Sequence, residues 1–292
     1  LMLADDPEGS VHELFCREFW RSHPLGWPIC GTVDSIDQLS RQTLLEHIRN
    51  HYRGDNLLLC AAGCLNHQEV VDQVAAAFAS LPKESSKNGL STPQPTSGMQ
   101  VNDRDLEQVH LCLGTPAPSQ RHPQRFAAFV LNTLLGGSVS SRLFQKIREE
   151  LGLAYSIYSY LNCYSDAGGL VVYSATGYQQ LARVLGLILG EMRRLTREVA
   201  TAQELQSAKE HLKGRLLLSL ENTETRMMRL AKNEFYLGYQ PEVADIVAAI
   251  DGIEGEEVRQ LADSLFQDEL LHLQLVGRNR HIDFPRNGLA FS

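Results

Sequence analysis

At 292 residues, with an ordinary balance of apolar and charged side chains, the chain exceeds the usual single-domain length and is expected to form two domains. Its 27 basic against 35 acidic residues give a net charge of −8, and no basic stripe with interleaved aromatics offsets this, which excludes nucleic acid and anionic membrane as main partners. No apolar run approaches the roughly 18 residues of a membrane span, and six scattered cysteines without paired-motif spacing point to free thiols, mostly buried or partly buried, rather than a zinc cage or a disulfide framework.

The opening LMLADDPEGS lacks the charged, apolar and small-residue zones of a signal peptide, so the chain is expected to begin inside a longer protein. After the turn-like Asp5-Asp6-Pro7, Val11, Leu14, Phe15 and Phe19 recur at helical spacing and predict a helix over Ser10–Arg21. The run from His23 to Pro28, with two prolines and a glycine, ends it. A second helix is predicted over Ser35–Tyr52, a strand over Asn56–Ala62 closed by Gly63, and a third helix over Asn66–Leu81 with Asn66 as its cap.

From Pro82 to Gln100 the chain turns polar and rich in Ser, Pro and Gly, a composition that cannot bury a core. Beyond it, strands are predicted near Val101 and over Glu107–Gly114, where Val109, Leu111 and Leu113 alternate with His110 and Cys112. Pro123 and Gly136 bracket an apolar helix, and Ser138 or Ser140 can cap the next, which carries Leu143, Phe144, Ile147 and Leu151 and stops at Gly152. Tyr155–Tyr164 and LVVYSAT flank the turn Asp166-Ala167-Gly168-Gly169 and read as a β-hairpin. Amphipathic helices follow over Leu181–Leu195, over Thr201–Leu220 with a Thr201/Glu204 capping box, and over Thr223–Leu237 ended by Gly238. A further helix holds Val258, Leu261, Ala262, Leu265 and Phe266, before the strand LLHLQLVG and an aperiodic tail. The expected division is therefore 1–82 as the first domain, 83–99 as linker, 100–277 as the second domain and 278–292 as tail.

The two domain ends resemble each other. With Gly63 set on Gly277, 214 positions apart, Leu44 falls on Val258, Ile48 on Ala262, Tyr52 on Phe266, Leu57 on Leu271 and Leu59 on Leu273. If this is a repeat, the first copy starts roughly 115 residues before Leu1 and only its C-terminal part is present. Its three helices and one strand then expose apolar faces, and self-association through them is expected.

Few residue groups suggest chemistry. His47 and His51 in HIRNH have zinc-compatible i, i+4 spacing, but the glutamate of H-E-x-x-H and a third ligand are absent, so a solvated pair is the simpler reading. His12 and His23 have no patterned partners and read as structural. GGSVSSR can cradle an anion at a helix start or form a plain serine-capped turn, and it lacks the P-loop lysine. Arg148 in the last turn of its helix and Tyr155 at the start of a strand each have an ordinary reading, as a dipole partner and a packing aromatic. Together, a guanidinium fork and a phenol at one corner can hold a peptide carbonyl or carboxylate and stabilise an oxyanion.

Around these residues the sequence resembles the insulinase and mitochondrial-processing-peptidase (pitrilysin-type) zinc metallopeptidases. The resemblance rests on DDPEGSVHELF, HPLGWPICGT, HYRGDNLLLCAAG, QVHLCLGTPA, LLGGSVSSRLFQKIREELGLAYSIYS and DAGGLVVYSATG, in the family's order over most of Asp5 to Gly177. It implies an α+β fold of metallopeptidase-like sandwich domains, each an antiparallel-rich mixed sheet packed by helices. One is expected partial and one complete, the pair clamping an extended peptide. In that family an H-x-x-E-H helix and a distant glutamate of the first domain hold zinc, while an arginine and a tyrosine of the second support the substrate; the latter fall on Arg148 and Tyr155. H-x-x-E-H is absent here, and the distant glutamate is placed just before Leu1. The expectation is a substrate-side piece of a zinc endopeptidase, with zinc bound by the full-length protein but no zinc and no turnover in this chain alone. The alternatives are a noncatalytic subunit lending Arg148 and Tyr155 to a related peptidase, or a scaffold.

Overall fold

The computed structural model describes residues 6–82 and 91–278. In chain order its elements begin with helices α1 (Pro7–Phe19), α2 (Val33–Asp37), α3 (Arg41–His51) and α4 (His67–Phe78), then strands β1 (Gly98–Asp103) and β2 (Val109–Pro116). Helix α5 (Arg125–Leu135), a π-helix (Phe144–Glu150) and the hairpin β3 (Ala154–Cys163) and β4 (Gly168–Thr176) follow. The chain continues through α6 (Leu181–Arg197), α7 (Ala202–Ser219), α8 (Thr223–Leu237), α9 (Val243–Asp251) and α10 (Gly255–Leu265) to β5 (His272–Gly277). Positions 83–90 of the expected linker, 279–292 of the expected tail and Asp5 of the first turn lie outside the described residues.

The chain divides into two compact units, one of Leu1–Trp27, Thr92–Arg215 and Glu242–Ser292, the other of Pro28–Ser91 and Leu216–Pro241. The first holds a five-stranded mixed sheet in the order β1-β5-β2-β4-β3. Only β1 and β5 are parallel; the other neighbours are antiparallel. The fold is thus α+β with an antiparallel-rich mixed sheet packed by helices.

Strand alternation sorts the core into two layers. Leu111 and Leu113 of β2, Leu170 and Val172 of β4, and Leu273 and Leu275 of β5 point to one face, where α5, α6 and α10 bury Leu131, Leu135, Leu185, Ile188 and Leu261 against them. Cys112, Val171, Tyr173 and Val276 point to the other, which α1 covers with Val11, Phe15 and Phe19. Both faces are covered, so every residue of β4 is buried, the physical reason its apolar run does not alternate. Gly114 lets α1 approach: a Cβ there would overlap the Phe15 ring. Chain composition separates residues 1–82 from 100–277, whereas packing places α1 with the later segment's sheet.

In the second unit none of α2, α3, α4 and α8 has a buried residue, and Ile36, Leu44, Ile48, Tyr52, Phe78 and Phe235 are exposed. The strand expected over Asn56–Ala62 is not formed. Gly54–Asn56 is a 3-10 turn, and Leu57, although extended at φ −116° and ψ 128°, begins a run with no ladder partner among the described residues. A strand exists through its neighbours, which the pattern of one segment cannot supply.

Four other expectations shift. The helix read over Ser35–Tyr52 is two, because the Ser40 hydroxyl accepts from the Thr43 amide and starts α3 afresh. Pro7 opens α1 three residues before Ser10, as proline suits a first turn. Helix α5 starts at Arg125 rather than Pro123, and α9 was not read at all. By contrast, Asn66 caps α4 through the Gln68 and Glu69 amides, and Thr201 and Glu204 form their capping box.

The repeat is visible in the elements. At the 214-residue offset, Arg41–His51 of α3 falls on Gly255–Leu265 of α10, and the 3-10 turn Gly54–Asn56 on another at Asp268–Leu270. Helices α2 and α9 end at the matching positions Asp37 and Asp251. Helices α1 and α8 also correspond, and each belongs to the unit built mainly from the other half of the chain.

Candidate functional site

The corner between the π-helix and β3 is built from local backbone features. Leu143 and Ile147 anchor the helix in the core, and its wider π-type turn carries Phe144 and Arg148 outward on neighbouring positions. Gly152, at φ +58°, reverses the chain, and the Leu153 amide closes the end on the Ile147 carbonyl at 2.9 Å. The ladder with β4 then skips a residue between Ala154 and Ser156, leaving Tyr155 as the extra residue of a β-bulge. That bulge turns Tyr155 out of the strand, 80% exposed.

The structure therefore brings the two sequence-read residues together. The Arg148 guanidinium carbon lies 5.3 Å from the Tyr155 ring centre and 4.9 Å from that of Phe144, so the cation stacks against two aromatic rings. Its nearest acid, Glu149, stands 3.8 Å away, and Glu150 is taken by Lys146 at 2.7 Å. Contact with the two rings leaves N–H donors at the edge of the guanidinium. This arrangement can donate to one carbonyl or oxyanion.

The serines of GGSVSSR do not cap the following helix: helical residues start at Arg142, and the hydroxyl of Ser141 just before it has no hydrogen-bond partner among the described residues. Instead the loop walls a polar cleft of about 230 Å³ with Thr133, Arg142, Thr201 and Ser207. Arg142 forks onto Glu204 at 2.8 and 3.2 Å, and the same carboxylate accepts from the Thr201 amide and hydroxyl, both at 2.9 Å. Burial alone would raise the Glu204 pKa; Arg142 and Thr201 outweigh it and bring the carboxyl down to about 2.

The His47 and His51 rings sit 4.4 Å apart on exposed α3. Among the described residues no three His, Cys, Asp or Glu side chains form a group able to hold a metal. The cysteines are free thiols: Cys112 is buried, Cys16, Cys60 and Cys163 partly so, while Cys30 and Cys64 are exposed. No described helix is long and apolar enough to cross a membrane. His23 accepts from the Leu25 amide and caps a short turn. His12, by contrast, joins a polar cluster under α1 that sequence reading missed; the i, i+4 pair Glu8/His12 and the i, i+2 pair Tyr158/Tyr160 were visible, but not that they meet.

Comparison with known proteins decides the family. A family model described as the peptidase M16 inactive domain matches residues 38–212. The chain belongs to this M16 family. The M16 chain is 35% identical over 268 residues to an uncharacterized zinc protease of Bacillus subtilis, covering 92% of this chain and 65% of that protein. It is 36% identical over 270 residues to an uncharacterized zinc protease of Streptomyces coelicolor, covering 89% and 59%. It thus spans about three-fifths of the curated relatives it matches. In fold it matches the peptidase M16 inactive domain from Pseudomonas fluorescens with a TM-score of 0.82 at 19% identity, over 95% of this chain and 67% of that one. A protease from Helicobacter pylori matches with a TM-score of 0.81 at 18% identity, over 94% and 67%.

Proposed function

We propose that this M16 chain is the substrate-side part of a zinc metalloendopeptidase and holds an extended peptide for cleavage between two clamp-like domains. The observation that carries the reading is the stacked, outward-facing Arg148–Tyr155 pair. The guanidinium and the phenol donate hydrogen bonds to the carbonyl oxygen of the bond to be cut, and those bonds strengthen as that oxygen becomes an oxyanion. A donor of this kind supplies roughly 10²–10³ in rate. The zinc protease names of the relatives support metal-dependent hydrolysis in the family. The described residues of this chain do not fit a catalytic zinc, which is assigned to a part of the protein outside it.

The test is peptide turnover by the full-length protein, or by its complex with a related subunit, carrying Arg148→Ala or Tyr155→Phe. Each is expected to lower kcat/KM by at least tenfold with zinc content and folding intact. Unchanged turnover in both variants would remove this site from the mechanism. The 292-residue chain alone is expected to show no turnover.

A further inference from the structure

The sheet face under α1 is lined by histidines and tyrosines rather than by apolar residues alone. His12 on α1 lies between two hydroxyls, Nδ1 being 2.7 Å from Tyr160 and Nε2 3.0 Å from Tyr158. The Tyr158 hydroxyl donates to the Glu8 carboxylate at 2.7 Å, so its oxygen is left to accept from His12 Nε2–H. Nδ1 is then the acceptor, facing the Tyr160 hydroxyl at 2.7 Å and the Cys112 thiol at 3.4 Å. This arrangement uses each proton once in the neutral imidazole; protonating Nδ1 makes it a donor, so the Tyr160 hydroxyl must turn to accept, and burial disfavours the charge.

Two more histidines share the face. His110 on β2 contacts the Tyr173 hydroxyl at 3.0 Å. His272 on β5 is buried, with Phe15 and Phe19 of α1 at ring-centre distances of 5.5 and 6.2 Å and the Thr96 backbone as its polar neighbour. An imidazolium there exchanges water for two aromatic rings, and the Thr96 backbone and Glu18 only partly offset that loss while α1 is in place.

We propose that these three histidines make α1 an acid-released latch, which closes over the sheet when they are neutral and leaves it when they are protonated, uncovering the aromatic face. The surrounding charges do not cancel this. Burial lowers all three pKa values; Glu8 and Asp6 only partly oppose it at His12 and His110, and Glu18 and the Thr96 backbone only partly at His272. Arg104 acts with burial on His110, and Arg21 on His272, which falls to about 4. The remaining titratable neighbours, Cys16, Cys112, Tyr158, Tyr160 and Tyr173, all have raised pKa values through burial and stay neutral over this range. With the open-state value at 6.5, closure is fully present above pH 6.5 and is lost as pH falls toward 4. His272 alone shifts the opening equilibrium by about 30-fold between pH 7.5 and pH 5.

Hydrogen exchange on the purified protein at pH 7.5 and 5.0, corrected for intrinsic rates, tests this. Amides of Val11–Phe19 are expected to lose about 30-fold protection at pH 5 while those of β4 keep theirs, and His272→Leu should remove most of the response. Unchanged α1 protection, equal loss across α1 and β4, or a full response retained in both His272→Leu and His12→Gln would overturn the latch. If the variants do not fold, a histidine proton titration of the wild-type protein decides: three histidines titrating near 6.5 with α1 still protected would also overturn it.

Discussion

Tyr155 and Arg148 meet because two local irregularities act together: a π-helix carries the arginine and a β-bulge turns out the tyrosine, with their ring centre and guanidinium carbon 5.3 Å apart. Neither irregularity adds stability, and both are frequent beside functional sites. If the stacked plane orients the donors, charge alone will not replace it. On the proposed function, Arg148→Lys in the full-length protein is therefore expected to lower kcat/KM for peptide by about tenfold or more, because an ammonium lacks the planar fork of a guanidinium. Thermal unfolding should move little, since Arg148 is half-exposed and its acidic contact is long. Wild-type turnover in the lysine variant would show that only the charge matters.

Two glycines frame the same corner for different reasons. Gly152 stands at φ +58° in open space, so Gly152→Ala meets only the backbone penalty, about 1 kcal/mol. Gly136 has a negative φ, −157°, yet a Cβ there would sit 2.7 Å from the Ser159 amide nitrogen of β3. Gly136→Ala is expected to cost more, about 2–3 kcal/mol, by forcing α5 and β3 apart. Denaturant midpoints of the two variants should rank in that order.

The Arg142–Glu204 pair predicts a pH response of opposite origin to the histidines. The Glu204 carboxyl lies below its unfolded value of 4.5, at about 2, so its contribution is fully present above pH 4.5 and is lost as pH falls toward 2. The Glu204 side chain is 34% exposed, and solvent screening reduces that contribution to about 1 kcal/mol. Glu204→Gln should flatten this part of the stability profile while leaving stability between pH 5 and pH 8 lower by the same amount.

The repeat predicts where the unpaired segment belongs. Its counterpart, β5, lies between a parallel neighbour, β1, and an antiparallel one, β2. Leu57–Ala62 is therefore expected to gain the same two kinds of neighbour in the full-length protein. Hydrogen exchange should find these amides open in the 292-residue chain and strongly protected in the longer one; equal exchange in both would break the repeat's structural meaning.

The sequence determined the elements whose signals are local. Asn66 and Thr201 cap helices because their side chains reach amides two or three residues on. The hairpin from Ala154 to Thr176 followed from the alternation of its first strand and the turn signal at Asp166-Ala167, although Gly168 and Gly169 pair within β4. The repeat survived because two helix-to-turn units of equal length keep the same spacing; that Arg148 and Tyr155 flank one corner followed from the stop at Gly152 between them, while their contact needed the bulge.

Tertiary structure decided what depends on distant partners. Nothing near His12 in the chain announces Tyr158 and Tyr160, nearly 150 residues away, and His272 reads as an ordinary strand residue until Phe15 and Phe19 close over it. For the same reason LLLCAA carries a strand's pattern without forming one, since the pattern is written in one segment and the ladder needs two. The chain's own chemistry thus chose its helices, its turns and its candidate site, while packing chose which helix covers which sheet, because burial is shared between surfaces that no single stretch of sequence contains.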